Sequence, residues 1–273
     1  MSEGKLILPR LPDNLESLFK QEEDIRVQSI LHINSENDLK DHLAIVYDSL
    51  NMIFDLTIHY VPVLEDELTI QFLGIRLFNS VTCSLKLFLS GYYQNSVALQ
   101  RDILETGFLL DYFSSNPSKI SEWRSSSSKE RFRKFKPKLV RDALDTRDGF
   151  KTEKRKEIYS MMCEYATHPS FPGIKLFSPV GGARIGAFFD ATFLKSVLVE
   201  LALRVPLSAL VYMDHFKNLP QNYLRPKIEF IDKLKNWSIK YRRVDLSKVD
   251  TQTLKEWITQ IRLQTAATKE SGL

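Results

Sequence analysis

The sequence predicts an all-α protein, a single multi-helix bundle with an N-terminal arm and one long loop rich in Gly and Pro. Three observations carry this. Apolar residues recur at helical spacing over most of the 273 residues, strand-like alternation is rare, and the segments between periodic stretches are mostly short. Short connections make successive helices antiparallel neighbours. With 43% hydrophobic and 26% charged residues the chain is ordinary for a folded domain, so its core needs no disulfide or metal to close it.

Residues 1–34 show weak periodicity, early prolines and mixed charge, which predicts an arm with one short helix or strand lying over the body. The helical domain is expected over 35–265. Ser35 is placed to cap a helix through Leu39, Leu43, Val46, Leu50 and Phe54 that ends before Pro62. A second helix runs from near Glu65 to Gly91, dense enough in apolar residues to be central, and a third from about 92 to 114. Pro117 opens a shorter segment around Trp123. A helix from about Thr152 carries Ile158, Met161, Met162 and Tyr165 and stops at His168, because Pro169 disfavours helical backbone before it.

The long loop spans 169–187, with a possible hairpin about Gly181 and Gly182. Helices follow at roughly 187–217, 221–242 and 250–265, the last burying Leu254, Trp257, Ile258 and Ile261. Residues 266–273 are expected to be disordered. The span "FLKSVLVELALRVPLSALVYM" contains Lys195, Glu200, Arg204 and Pro206, and is better read as a kinked, buried helix than as a membrane span. The opening "MSEGKLILPRLPDN" lacks the apolar core of a targeting signal.

The stretch "SVALQRDILETGFLLDYF", residues 96–113, sets a charged pair into an apolar helix. At about 100° per residue, Val97, Ala98, Arg101, Leu104, Glu105, Phe108 and Tyr112 share one side. Leu99, Ile103, Leu110 and Phe113 make a second apolar surface. On an exposed helix the acid-first order is the better one, so Arg101 before Glu105 points to burial. The pair is either a polar network that fixes how helices dock or a pocket with a preset charge.

The net charge of +4 is too small to identify a partner, but it is unevenly spread. Residues 124–156 hold thirteen Lys or Arg against five Asp or Glu, a local +8 that leaves about −4 for the rest. Within it Arg131, Arg133, Lys134, Lys136, Lys138 and Arg141 are interleaved with Phe132 and Phe135. Mobile cations suit phosphates and aromatic rings suit unpaired bases, so nucleic acid, RNA more than DNA, or an acidic protein is the expected partner. The bland alternative is a solvated face whose aromatics turn inward. Lys233, Lys235, Lys240, Arg242 and Arg243 form a second basic group near Trp237 and Tyr241.

Cys83 and Cys163 lie in helical patterns without metal-ligand spacing, and read as buried thiols of a cytoplasmic protein. His168 is the histidine of interest: if its helix packs on 96–113, then His168, Glu105 and Arg101 form one cluster able to do general acid–base work. No metal or cofactor is expected, since H-E-x-x-H, P-loop and dinucleotide spacings are missing, and "GGARIG" reads as a turn.

The run "LFLSGYYQNSVALQRDILETGFLLDYFSSNPSKISEW", followed by "YSMMCEYATHPSFPG", resembles a family of uncharacterised microbial helical proteins loosely grouped with the HEPN-like bundles. The likeness spans about residues 65–245. It implies a helical bundle; catalytic HEPN-like members cleave RNA with an Arg followed four to six residues later by His, a polar residue coming after the Arg. "RVQSILH", Arg26 to His32, has that spacing but carries Val27 in the polar place. The leading expectation is thus a non-enzymatic interaction or regulatory module with a basic face. The alternative is a metal-independent HEPN-like ribonuclease using Arg101, Glu105 and His168. A homodimer is compatible with either, and no membrane partner is expected.

Overall fold

The computed structural model describes residues 11–150, 153–179, 182–216, 219 and 221–242. Ten α-helices form among them: α1 (Asp13–Ser35), α2 (Asn37–His59), α3 (Glu65–Leu89), α4 (Tyr93–Ser115), α5 (Ser118–Ser125), α6 (Ser128–Phe135), α7 (Pro137–Arg147), α8 (Lys154–Met162), α9 (Ala191–Asp214) and α10 (Gln221–Arg242). A π-helical turn, Cys163–Thr167, continues α8, and a 3₁₀ turn covers Pro172–Phe177. No strand occurs among the described residues, and the chain is all-α.

The centre is α9, whose sequence is apolar nearly all round. Beyond Ser196 none of its residues is exposed, and Leu198, Leu201, Ala202, Val205, Ala209 and Tyr212 are fully buried. A helix hydrophobic on every side has to be surrounded. It is, by α2, α3 and α4; α3 packs on both of the others, and all share one continuous core from Ile33 to Trp237. Asp190 fixes where α9 starts, accepting from the Thr192 and Phe193 amides at 2.9 and 3.0 Å. Pro206 is carried within the helix.

Close approach decides two glycines. A Cβ on Gly74 would lie 2.3 Å from Tyr212 Cζ, so α3 can cross α9 there only without a side chain. Tyr212 is held in that slot by a 3.0 Å hydrogen bond with Thr57, and burial pushes its phenol up to about 12. Gly91 turns the chain between α3 and α4 at φ +85°, against the Phe188 backbone.

Several boundaries differ from the sequence reading. The expected N-terminal arm with a short helix is a 23-residue helix instead, from Asp13 to Ser35. Its periodicity is weak because it buries only Ile25, Ser29 and Ile33. Ser35 closes α1, donating to the His32 carbonyl at 2.7 Å, and does not cap α2. The 169–187 loop closes on itself, with Gly182 N–H donating to Pro179 O and Arg184 N–H to Phe177 O, and no strand pair forms among its described residues. The helix expected at 250–265 and the tail at 266–273 lie outside the described residues, as does Gly181.

His42, unremarked in the sequence, is buried where α10 meets α2. Its Nδ1 accepts from Trp237 Nε1 at 3.1 Å, and the Tyr241 ring lies 4.4 Å away. Burial holds His42 below its ordinary 6.5, with Asp38 and Asp41 opposing only in part.

Gly74→Ala should lower unfolding free energy in urea by about 1–3 kcal/mol, since Tyr212 has no room to retreat. The His42 shift gives a second expectation. As pH falls through about 6.5 the unfolded chain takes up a proton that the fold refuses, so stability is lost on the acid side. The melting temperature of the parent should therefore drop between pH 7.5 and 5.5 more than that of His42→Gln, which keeps an acceptor for Trp237.

Candidate functional site

Side by side on α4, Arg101 and Glu105 are held at 2.8 Å, each about one quarter exposed. The helices that cover them are α7 and α8, so the pair is half-buried by a second layer. Tyr159 of α8 completes the arrangement: its hydroxyl donates to Glu105 Oε1 at 2.7 Å and accepts from Arg101 Nη2. Arg101 Nε donates to Cys163 Sγ at 3.1 Å. Arginine, phenol and carboxylate thus form a closed triangle with the thiol at its edge.

A second arginine stacks on the same phenol. Arg141 of α7 sits 3.9 Å above the Tyr159 ring centroid and is only 6% exposed. Its Nε and Nη1 find no hydrogen-bond partner among the described residues, and the ring face, with the Glu153 carboxylate nearby, meets its charge. Burial works against the Arg101 charge, but Tyr159 and the Glu105 carboxylate outweigh it and hold the guanidinium above its ordinary value. Burial, with Glu105 beside it, likewise raises the Tyr159 phenol. Both shifts favour the protonated forms, which suit a fixed network better than proton exchange.

His168 stands apart from this cluster. Its amide caps the π-helical turn by donating to Cys163 O at 2.9 Å, while its exposed ring lines a groove of about 580 Å³ with Gln94, Asn95, Phe171, Ile174 and Phe177. Neither Arg101 nor Glu105 lines that groove. The structure therefore joins Arg101 to Glu105 and leaves His168 outside. Sequence spacing does not reveal Tyr159, and it assigns Arg141 to the basic face and not to this cluster, because a tyrosine in a short charged helix and one cation among many carry no motif.

The thiols are also placed differently from the sequence reading. Cys83 is exposed, since it falls on the outward side of α3, and Cys163 is half-buried beside Arg101.

The basic block separates into two populations. Arg131 turns inward, over the Trp123 ring at 5.2 Å and onto Ser126 O at 2.8 Å, and Arg141 is buried as described. Neither belongs to an open face. Lys134 pairs with Glu122 at 2.8 Å, and Arg147 and Arg155 are held by Asp111, Asp145 and Asp148. Arg133, Lys136 and Lys138 have no ion pair among the described residues, and neither has Lys129. Lys129, Phe132 and Arg133 fall at i, i+3 and i+4, one side of α6, with Lys136 at the junction with α7, and Phe132 is 72% exposed. In the second basic group Lys233 is paired with Asp48 and Lys240 with Asp41, both at 2.6 Å, Lys235 and Arg242 have no ion pair among the described residues, and Arg243 lies outside them.

No family model, curated protein or solved structure matches the chain. The reading of the site rests on its geometry.

Arg101→Met should lower stability by about 1–3 kcal/mol, because it leaves Glu105 and Cys163 half-buried with one partner fewer. Tyr159→Phe should cost less, since the direct Arg101–Glu105 bond survives. Urea unfolding of the two variants checks the order.

Proposed function

We propose that this chain is a non-enzymatic interaction module whose α6–α7 face binds single-stranded RNA. The observation that carries the reading is the α6 stripe: an exposed Phe132 set beside Lys129 and Arg133, with Lys136 at the junction with α7 and Lys138 at the start of α7. The cations supply phosphate contacts and release counterions, and the ring offers a stacking surface that any unpaired base can use. Stacking of that kind selects single strands over duplex, whose bases are already stacked.

The geometry supports binding without cleavage. An HEPN-like ribonuclease built on Arg101, Glu105 and His168 needs the histidine beside the pair, whereas His168 faces another groove and the two charges are absorbed by Tyr159 and Cys163. The resemblance to HEPN-like bundles supports the helical frame and is carried no further. An exposed free thiol at Cys83 suits a reducing compartment, and the cytoplasm is the proposed setting.

Fluorescence anisotropy with a labelled single-stranded RNA across a salt series tests this. Log affinity should fall linearly with log salt, and neutralising Arg133, Lys136 and Lys138 to Gln should reduce the slope by about 2, near 0.7 for each phosphate no longer neutralised. Phe132→Ala should weaken binding by about 1–3 kcal/mol with the slope unchanged. His168→Ala should leave affinity unaltered. A protein that binds no RNA at low salt, or binds it equally well without the three cations, removes the proposal.

A further inference from the structure

Helices α2 and α3 turn their solvent sides in the same direction, and neither is polar. Between Ala44 and Ile58 the exposed residues of α2 are Ala44, Tyr47, Asn51, Phe54 and Ile58. Between Leu68 and Cys83 those of α3 are Leu68, Phe72, Ile75, Arg76, Asn79 and Cys83. Arg76 is the charged member, and it leans to the edge to pair with Asp102 of α4. Across the seam the Phe54 and Phe78 rings lie 5.7 Å apart, so the two stripes are one surface. It continues through the connection, where Val61, Val63 and Leu64 are largely open.

A helix face that meets only water ordinarily carries charge. Here Phe72 is 60% exposed, Ile58 59% and Tyr47 47%. Taken together, the open apolar side chains of the two stripes and their connection leave roughly 800 Å² uncovered, the contribution of one partner to a standard interface. That is more than the largest patch of a typical monomer, about 300–600 Å². Charge returns at the margins, as the Arg76–Asp102 pair on one side, the Lys233–Asp48 pair on the other, and Lys40 and Lys86 at the end of the hairpin away from the connection. An apolar centre within a polar rim is the anatomy of a protein interface.

We propose that this face closes on the same face of a second copy of the chain. A two-fold contact presents a surface to itself, so it must be free of like charges at its centre and neutral at its rim. The centre is uncharged apart from Arg76, which is paired at the edge, and the rim carries both signs: a two-fold axis across the helices sets the Lys40 and Lys86 end of one copy beside the Asp55 and Glu65 end of the other. The shape fits as well: two antiparallel helices of 23 and 25 residues are half of a four-helix bundle, and a second hairpin supplies the other half. A bilayer surface is a poorer match, because a membrane-lying helix carries a belt of Lys and Arg beside its apolar side, whereas here the cations Lys40, Arg76, Lys86 and Lys233 share the border with Asp48, Asp55, Glu65 and Asp102.

Sedimentation equilibrium or light scattering of the full chain reads the outcome. A dimer of about 63 kDa, twice 31.7 kDa, is expected, and Phe72→Glu with Tyr47→Glu should raise its dissociation constant about 100-fold or more. Because both side chains are open to solvent in the single chain, far-UV dichroism should be unchanged; Phe72→Ser, which adds no charge, provides a second variant with the same direction. Phe132→Glu, on the α6 face, should remain dimeric. The proposal fails if the chain is monomeric at every concentration, if the dimer survives the double substitution, or if a monomer floats with phosphatidylcholine or phosphatidylserine vesicles, which would assign the face to lipid.

Discussion

Burying α9 is the constraint on which the other elements depend. From Val197 to Met213 the helix is apolar except for the Glu200–Arg204 pair on one edge, so the chain must assemble a sleeve around nearly all of it. Each fully buried aliphatic or aromatic side chain contributes on the order of 1.5–3 kcal/mol, and α9 supplies more of them than an ordinary surface helix. The sleeve explains small residues that otherwise look arbitrary: Gly74 admits Tyr212, and Gln100, wholly buried on α4, donates to the Val197 carbonyl at 3.1 Å. Even a lysine is drawn in. Lys227 of α10 is 1% exposed and reaches the Met213 carbonyl at 3.3 Å, placing its charge at the negative end of α9.

Once one side of α4 is committed to α9, its other side faces the short helices of the basic block, and the polar cluster marks that boundary. A pair of charges at a half-buried seam is costly unless its remaining donors and acceptors are met. Tyr159 meets both partners at once, and Cys163 accepts from the guanidinium Nε. The same economy sorts the cations of 124–156. Where two elements meet, Arg131, Arg141, Arg147 and Arg155 have each found a carboxylate, a carbonyl or a ring, whereas Lys129 and Arg133 project from the exposed side of α6.

The sequence made the long helices legible because their apolar periodicity is dense and their ends are punctuated, by Glu67 accepting from the Val63 and Leu64 amides at the start of α3 and by Gly91 at its end. Arg101 and Glu105 were legible for a different reason, the misfit of charge within an apolar stripe. What stayed hidden was long-range. Nothing local to Tyr159 or Arg141 says that they meet α4, since α7 and α8 are short and strongly charged. Nor does periodicity alone foretell that α2 and α3 keep apolar residues on their outer sides: a helix apolar all round reads as buried, and Cys83 was placed inside on that logic. His168 was drawn toward Arg101 by its helix end, yet the π-helical turn before it rotates the chain and the ring lines a separate groove.

The two unpartnered surfaces carry unequal information. Cations that point into water are fully hydrated and cost the fold nothing, so the α6 stripe acquires meaning only through Phe132, a large ring left open among them. Apolar surface is otherwise. Every uncovered ring on α2 and α3 forgoes stabilisation that a rotation or a single polar substitution would not have sacrificed, and there are enough of them, continuous and free of charge, to form a layer. A fold that hides α9 so completely has no need of further apolar residues on its outside. Their presence there points to a contact that the single chain does not make.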